Sequence, residues 1–69
     1  MMMLTALVRQ VQSEQLLVWD SATRQEVLVH TNQAFCFRSG EWVCIHWSGV
    51  MTASIPPQIT ATRIDRICR

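Results

Sequence analysis

The sequence predicts an all-β fold: a small closed barrel of five strands, with one short helical turn between strands three and four. Three observations carry this reading. Short runs rich in Val, Ile, Leu, Trp and Thr recur with a two-residue period. Polar turn clusters separate them roughly every eight to twelve residues. No stretch keeps a helical period long enough for a long helix. Closure also disposes of edge strands in a chain that has no lysine to guard them.

Residues 4–12 read as the first strand. Val8 and Val11 stand three apart, so a bulge near Arg9-Gln10 is expected to turn both toward the core and bend the strand. Gln12-Ser13-Glu14-Gln15 is a polar turn. The second strand is Leu16–Asp20 and the third Glu26–Thr31. Their turn starts at Asp20 and Ser21, which bond their own backbone. Pairing Asp20 with Gln25 sets Val18 opposite Val27 and Leu16 opposite Val29. The other face then holds Leu17 opposite Leu28 and Trp19 opposite Glu26. The valine face is the expected core, because β-branched side chains pack well on a pleated surface. Leu17, Trp19 and Leu28 are then outside.

Thr31-Asn32 is expected to cap a single helical turn whose Ala34 and Phe37 plug one end of the barrel. Arg38-Ser39-Gly40-Glu41 turns tightly into the fourth strand, which Gly49 ends. Val43, Ile45 and Trp47 share its core face, and Trp42, Cys44 and His46 share the opposite one. Residues 50–55 read as a loop or short extended arm. Ser54-Ile55-Pro56-Pro57 reads as polyproline-like, since neither proline can donate to a ladder. Gln58–Arg66 is the fifth strand, with Ile59, Ala61 and Arg63 on one face and Thr60, Thr62 and Ile64 on the other. Ile64 and Ile67 stand three apart, which predicts an irregular end.

The chain of 69 residues makes one domain, residues 1–69. A chain this short buries only roughly 60% of its unfolded surface, yet 49% of its residues are hydrophobic. The surplus is expected on the surface, where a large apolar patch marks an interface. A homo-oligomer is therefore expected. The net charge of +1 and pI near 7.8 lack the basic footprint of a dedicated nucleic-acid binder. Cys36, Cys44 and Cys68 show no repeated spacing, which suits reduced thiols in a cytoplasm better than a disulfide framework. The first eight residues are apolar but lack the basic flank and length of a leader. No run approaches the ~20 apolar residues of a membrane helix, so a cytoplasmic location without a membrane partner is expected.

Several motifs together resemble a known kind of protein. These are V-x-x-V in strand one, L-x-V-x-D at Leu16–Asp20, Q-E-V-x-V at Gln25–Val29, F-x-x-G-E-x-V-x-I at Phe37–Ile45, and S-I-P-P-Q-I-x-A at Ser54–Ala61. The pattern, over residues 4 to 67, resembles short, uncharacterised bacterial OB-fold-like small β-barrel proteins. The Ser-Ile-Pro-Pro-Gln-Ile segment is its most specific part. This chain departs in having Arg24 where glycine is usual and Trp47 where tyrosine is common. The resemblance implies an OB-like fold and brings no activity with it.

No motif supports catalysis. The five carboxylates fall in turns or at strand ends without pairing, and no serine sits in a strand–elbow–helix context. Cys44 and His46 are the one nucleophile–base pair; i and i+2 on a strand face lie roughly 6.5–7 Å apart. The chain therefore reads as a non-enzyme with no cofactor. Cys36, Cys44 and His46, with His30 in addition, are candidate metal ligands, although Cys-x7-Cys-x-His matches no zinc knuckle. The outer face of strands two and three offers Trp19, Leu17, Leu28 and His30 as a binding surface, with Trp42 nearby. OB-type barrels stack single-stranded nucleic acid on such aromatics, but only Arg24 lies near to supply charge. The expected function is a binding or assembly module for a second copy, a protein partner or single-stranded nucleic acid. A metal-handling role for Cys44 and His46 is the alternative.

Overall fold

The computed structural model of the chain describes residues 2–67. Its strands are β1 (Met2–Val11), β2 (Gln15–Asp20), β3 (Gln25–His30), β4 (Trp42–Trp47) and β5 (Gln58–Arg66). A single 3-10 turn (Ala34–Cys36) lies between β3 and β4. The strands close into a barrel in the order β1-β2-β3-β5-β4. Every pair is antiparallel except β3 with β5. This is the expected five-stranded OB-like barrel.

Closure depends on the length of β1. Its first half pairs with β4, from Met2 opposite Trp47 to Leu7 opposite Trp42. Its second half pairs with β2, from Ala6 opposite Asp20 to Val11 opposite Leu16. Two further bonds extend the β4 side: Val8 N–H donates to the Glu41 carbonyl at 2.9 Å, and Gly40 N–H donates to the Val8 carbonyl at 2.7 Å. Residues 6–8 are thus held from both sides. The ladder to β2 slips between Val8 and Gln10, so Arg9 is the extra residue of a bulge. The bulge lies where the valine spacing predicts it, but it buries only Val8; Val11, at the strand end, is exposed.

The hairpin of β2 and β3 has the expected register, and the valine face is the buried one. Leu16, Val18, Val27 and Val29 are fully inaccessible. Val43 and Ile45 from β4 join them, with Trp47 nearly buried. Each such side chain contributes roughly 1.5–3 kcal/mol on burial. Ala34 and Phe37 are both buried in the core. The capping differs in detail: Gln33 is the residue before the turn, and the Thr31 hydroxyl accepts the Gln33 N–H instead of an amide of the turn itself.

Strand β5 departs from simple alternation. Its register to β4 shifts between His46 opposite Arg63 and Trp47 opposite Ala61, so Thr62 is the extra residue. The Thr62 hydroxyl donates to the His46 carbonyl at 3.0 Å, which anchors the bulge. The expected face assignment is corrected here: the bulge changes the phase, so Ile59 and Ile64 are both buried and Arg63 lies outside. The polyproline reading is corrected too. Residues 53–56 form a series of bends, and the Ile55–Pro56 peptide is cis. Gly49, with φ +99°, ends the strand; a Cβ there would lie 3.1 Å from Met2 Sδ, so both its backbone and its space call for glycine.

The turn between β2 and β3 holds Arg24 in an uncommon backbone conformation. Arg24 sits at φ 58°, in the left-handed region that glycine occupies without penalty. The turn is held by Asp20, whose buried carboxylate accepts the Ala22 N–H at 2.9 Å. A left-handed non-glycine residue costs about 1–2 kcal/mol, while a glycine adds about 0.5–1 kcal/mol of unfolded-state freedom. Arg24→Gly is therefore expected to stabilise the barrel by about 0.5–1 kcal/mol. A higher urea midpoint at unchanged slope is the readout; a lower midpoint would show that the Arg24 side chain contributes more than its backbone costs.

Candidate functional site

The outer face of the barrel is built by the same registers as its core. Trp19 on β2 lies opposite Leu7 on β1, and Leu7 lies opposite Trp42 on β4. On the far side Trp19 lies opposite Glu26 on β3. One lateral row therefore reads Glu26, Trp19, Leu7, Trp42 across four strands. At about 4.8 Å per strand spacing it is roughly 14 Å wide. Beside it Leu17 lies opposite Leu28. All of these apolar side chains are half-buried. Arg9, pushed outward by the bulge, places its guanidinium 5.6 Å from the centre of the Trp19 ring.

Two further rows run parallel to this one across β1, β4 and β5. The first is Thr5, Cys44 and Asp65; the second is Met3, His46 and Arg63. Their polar members are linked diagonally. Asp65 Oδ2 lies 3.2 Å from His46 Nε2, and Arg63 Nε donates to Asp65 Oδ1 at 3.1 Å. Arg63, hydrogen-bonded to it, holds the Asp65 carboxyl below its ordinary range, and His46 adds to that pull.

At the next level Arg66 gathers the segment before β4. Its Nε donates to Glu41 Oε2 at 2.7 Å, its Nη2 donates to the Cys36 carbonyl, and its guanidinium stacks 4.8 Å from the centre of Phe37. The Arg66 bond lowers the Glu41 carboxyl below its ordinary range, and the Arg38 backbone N–H at 2.7 Å assists.

Of the residues the sequence singles out, Leu17, Trp19, Leu28 and Trp42 share this apolar face. His30 does not join the tryptophan row. It lies four residues along β3 from Glu26, bonded through Nε2 to Gln58 Oε1 at 2.7 Å. It lines a shallow polar groove of about 570 Å³ with Glu14, Asn32 and Thr60. Cys36, Cys44 and His46 are not gathered into one ligand set: among the described residues no group of three or more His, Cys, Asp or Glu side chains could hold a metal ion. Cys36 is exposed on the 3-10 turn, while Cys44 is half-buried on β4.

Leu7 is the member that sequence reasoning missed. Its signal was present, since Ala6 and Val8 face the core and alternation puts Leu7 outside. Among the described residues no helix is long and apolar enough to cross a membrane. A scan of family models, a search of curated proteins and a search of solved structures each returned no match. The fold assignment therefore stands on strand order and register.

The two lowered carboxyls set a pH dependence. A carboxyl whose folded-state pKa lies below its unfolded value binds fewer protons when folded, so stability rises with pH and is lost on acidification. The contribution is fully present above the unfolded values, 4.5 for Glu41 and 3.8 for Asp65, and is lost as pH falls through the lowered folded values. Glu41→Gln is expected to lower the urea midpoint near neutrality, with the gap to the parent narrowing as pH drops below 4.5. A gap that stays constant with pH would refute the Arg66–Glu41 assignment.

Proposed function

We propose that this chain is a small, non-enzymatic OB-like binding and assembly module whose first partner is a second copy of itself. The carrying observation is the row Trp19–Leu7–Trp42 with Leu17 and Leu28 beside it. Aromatic residues at the centre of an apolar patch are the usual anchors of protein interfaces. A standard interface takes about 800 Å² per partner, under a fifth of the accessible 4528 Å². The net charge of +1 sets little repulsion between copies. A two-fold arrangement would bring the row onto itself. This reading needs no cofactor. It keeps the chain with the short bacterial OB-like barrels that its motifs resemble, and with a cytoplasmic setting for its free thiols.

Charge favours a protein partner over single-stranded nucleic acid. Glu26 stands in the tryptophan row, and Arg9 already lies over Trp19. Arg63 and Arg66 are engaged with Asp65 and Glu41. A phosphate backbone would meet few uncommitted cations there.

Sedimentation at increasing concentration is expected to show an oligomer of the 7.9 kDa chain. Leu7→Glu, which puts a charge between the two tryptophans, should return it to monomer with its thermal midpoint little changed. A parent that stays monomeric at millimolar concentration would overturn self-association. Tight binding of oligo-dT at physiological salt would replace it with the nucleic-acid reading.

A further inference from the structure

We propose that the free edge of β5, from Ala61 to Arg66, takes an extended peptide segment of a partner protein as an added strand, with a basic side chain of that segment set against Glu14. This surface is separate from the apolar row and does not rest on the self-association proposed above. The barrel is closed on this side by a short ladder. β3 and β5 pair only from Leu28 opposite Gln58 to His30 opposite Thr60. β3 ends there, while β5 runs on to Arg66, paired along its other side with β4.

One bond sets the direction of the later β5 backbone groups. Ile67 N–H donates to the Trp42 carbonyl at 3.0 Å. That pair is of the hydrogen-bonded kind, which recurs at every second residue of an antiparallel ladder. Asp65 opposite Cys44 and Arg63 opposite His46 are therefore turned to β4. Ile64 and Arg66 alternate with them, so their N–H and C=O groups point away from β4, to the side that β3 has left. Among the described residues no backbone bond meets them there. Main-chain groups are obligatory hydrogen-bonding groups, and a row of them on a strand edge is a template for a further strand.

The space beside this edge and its charge choose the occupant. Where β3 leaves β5, the groove of about 570 Å³ opens along Thr60, Ala61 and Thr62, with Glu14, His30 and Asn32 also lining it. Thr31 N–H donates to the Glu14 carbonyl at 3.1 Å, which fixes the turn before β2 against the end of β3. The lining is mostly hydroxyl, amide and carboxylate, which suits a main chain better than an apolar side chain. No arginine lines the groove, and His30 Nε2 is engaged with Gln58. The arginines nearest the edge, Arg63 and Arg66, are engaged with Asp65 and Glu41. The Glu14 carboxylate has no hydrogen bond or ion pair among the described residues. A cationic side chain is its electrostatic complement, and a phosphate chain is not.

Amide hydrogen exchange read by NMR is the test. The probe is a blocked hexapeptide of alternating valine and threonine with one arginine; main-chain pairing tolerates sequence, so one such peptide suffices. In the free protein the Ile64 and Arg66 amides are expected to exchange faster than those of Arg63 and Asp65, which face β4. Excess peptide should slow the Ile64 and Arg66 amides and leave the Trp19 and Trp42 indole signals in place. Methylating alternate peptide amides should abolish this protection. Glu14→Gln should weaken binding of the peptide about two- to fivefold, the loss of an exposed ion pair. The same peptide with glutamate for arginine should bind the parent more weakly still. Ile64 and Arg66 amides already protected in the free, dilute protein would overturn the proposal. So would an absence of protection at millimolar peptide, or equal binding of the methylated or the glutamate peptide. Protection that grows with protein concentration alone would give the edge to a second copy and overturn the peptide partner, while leaving the apolar row to be judged by Leu7→Glu.

Discussion

The structure depends on one strand being shared. β1 must hydrogen-bond to β4 through its first half and to β2 through its second, with residues 6–8 paired on both sides. Without that overlap the sheet would keep two open edges, and a chain with no lysine has little else to guard them. The overlap also explains where the apolar outer row lies. Ala6 and Val8 point into the core at the shared segment, so Leu7 between them must point out. Its two register partners are Trp19 and Trp42. The constraint that closes the barrel is thus the one that brings two tryptophans, distant in sequence, to either side of one leucine.

Two bulges make the closure compatible with the side-chain pattern. A closed five-stranded barrel needs strongly bent and twisted strands, and a bulge supplies both. At Arg9 the extra residue lies outside, where its guanidinium covers Trp19. At Thr62 the extra residue is fixed by its hydroxyl to the His46 carbonyl and lets Ile59 and Ile64 both reach the core. Each bulge therefore changes the chemistry of the outer face. The first puts a cation over an aromatic ring, and the second turns Arg63 outward to the Asp65–His46 pair.

Local signals made much of this legible in the sequence. The β2–β3 hairpin could be paired residue by residue because its turn residues and its β-branched face agree. The alternation Val43, Ile45, Trp47 marked a core strand, and the spacing of Ala34 and Phe37 marked two further core residues. What stayed hidden depends on contacts between distant segments. The phase of β5 could not be read, because no glycine or proline marks the Thr62 bulge; only pairing with β4 creates it. The Trp19–Leu7–Trp42 row was out of reach for the same reason, since it needs the β1–β4 register. His30 shares the outer face of β3 with Leu28, as alternation suggests. Its bond to Gln58, twenty-eight residues away, and the groove it lines were not legible, because they need the β3–β5 pairing.

The arginines bear on the self-association proposed for the outer face. A basic groove for a phosphate chain needs guanidinium groups that are free to release counterions on contact. Here Arg66 bridges Glu41, the Cys36 carbonyl and the Phe37 ring, which ties the end of β5 to the segment entering β4. Arg63 holds Asp65 beside His46. Arg9 lies over the Trp19 ring. These three guanidinium groups work within the fold: their planar fork and weak hydration let them serve as packing as well as charge. Recruiting these groups to phosphate would mean breaking bonds that position β4 and β5. The second copy proposed as partner would ask for none of that. It needs only the half-buried leucines and tryptophans that the register already lines up, and their burial removes apolar surface from water without unpairing a charge.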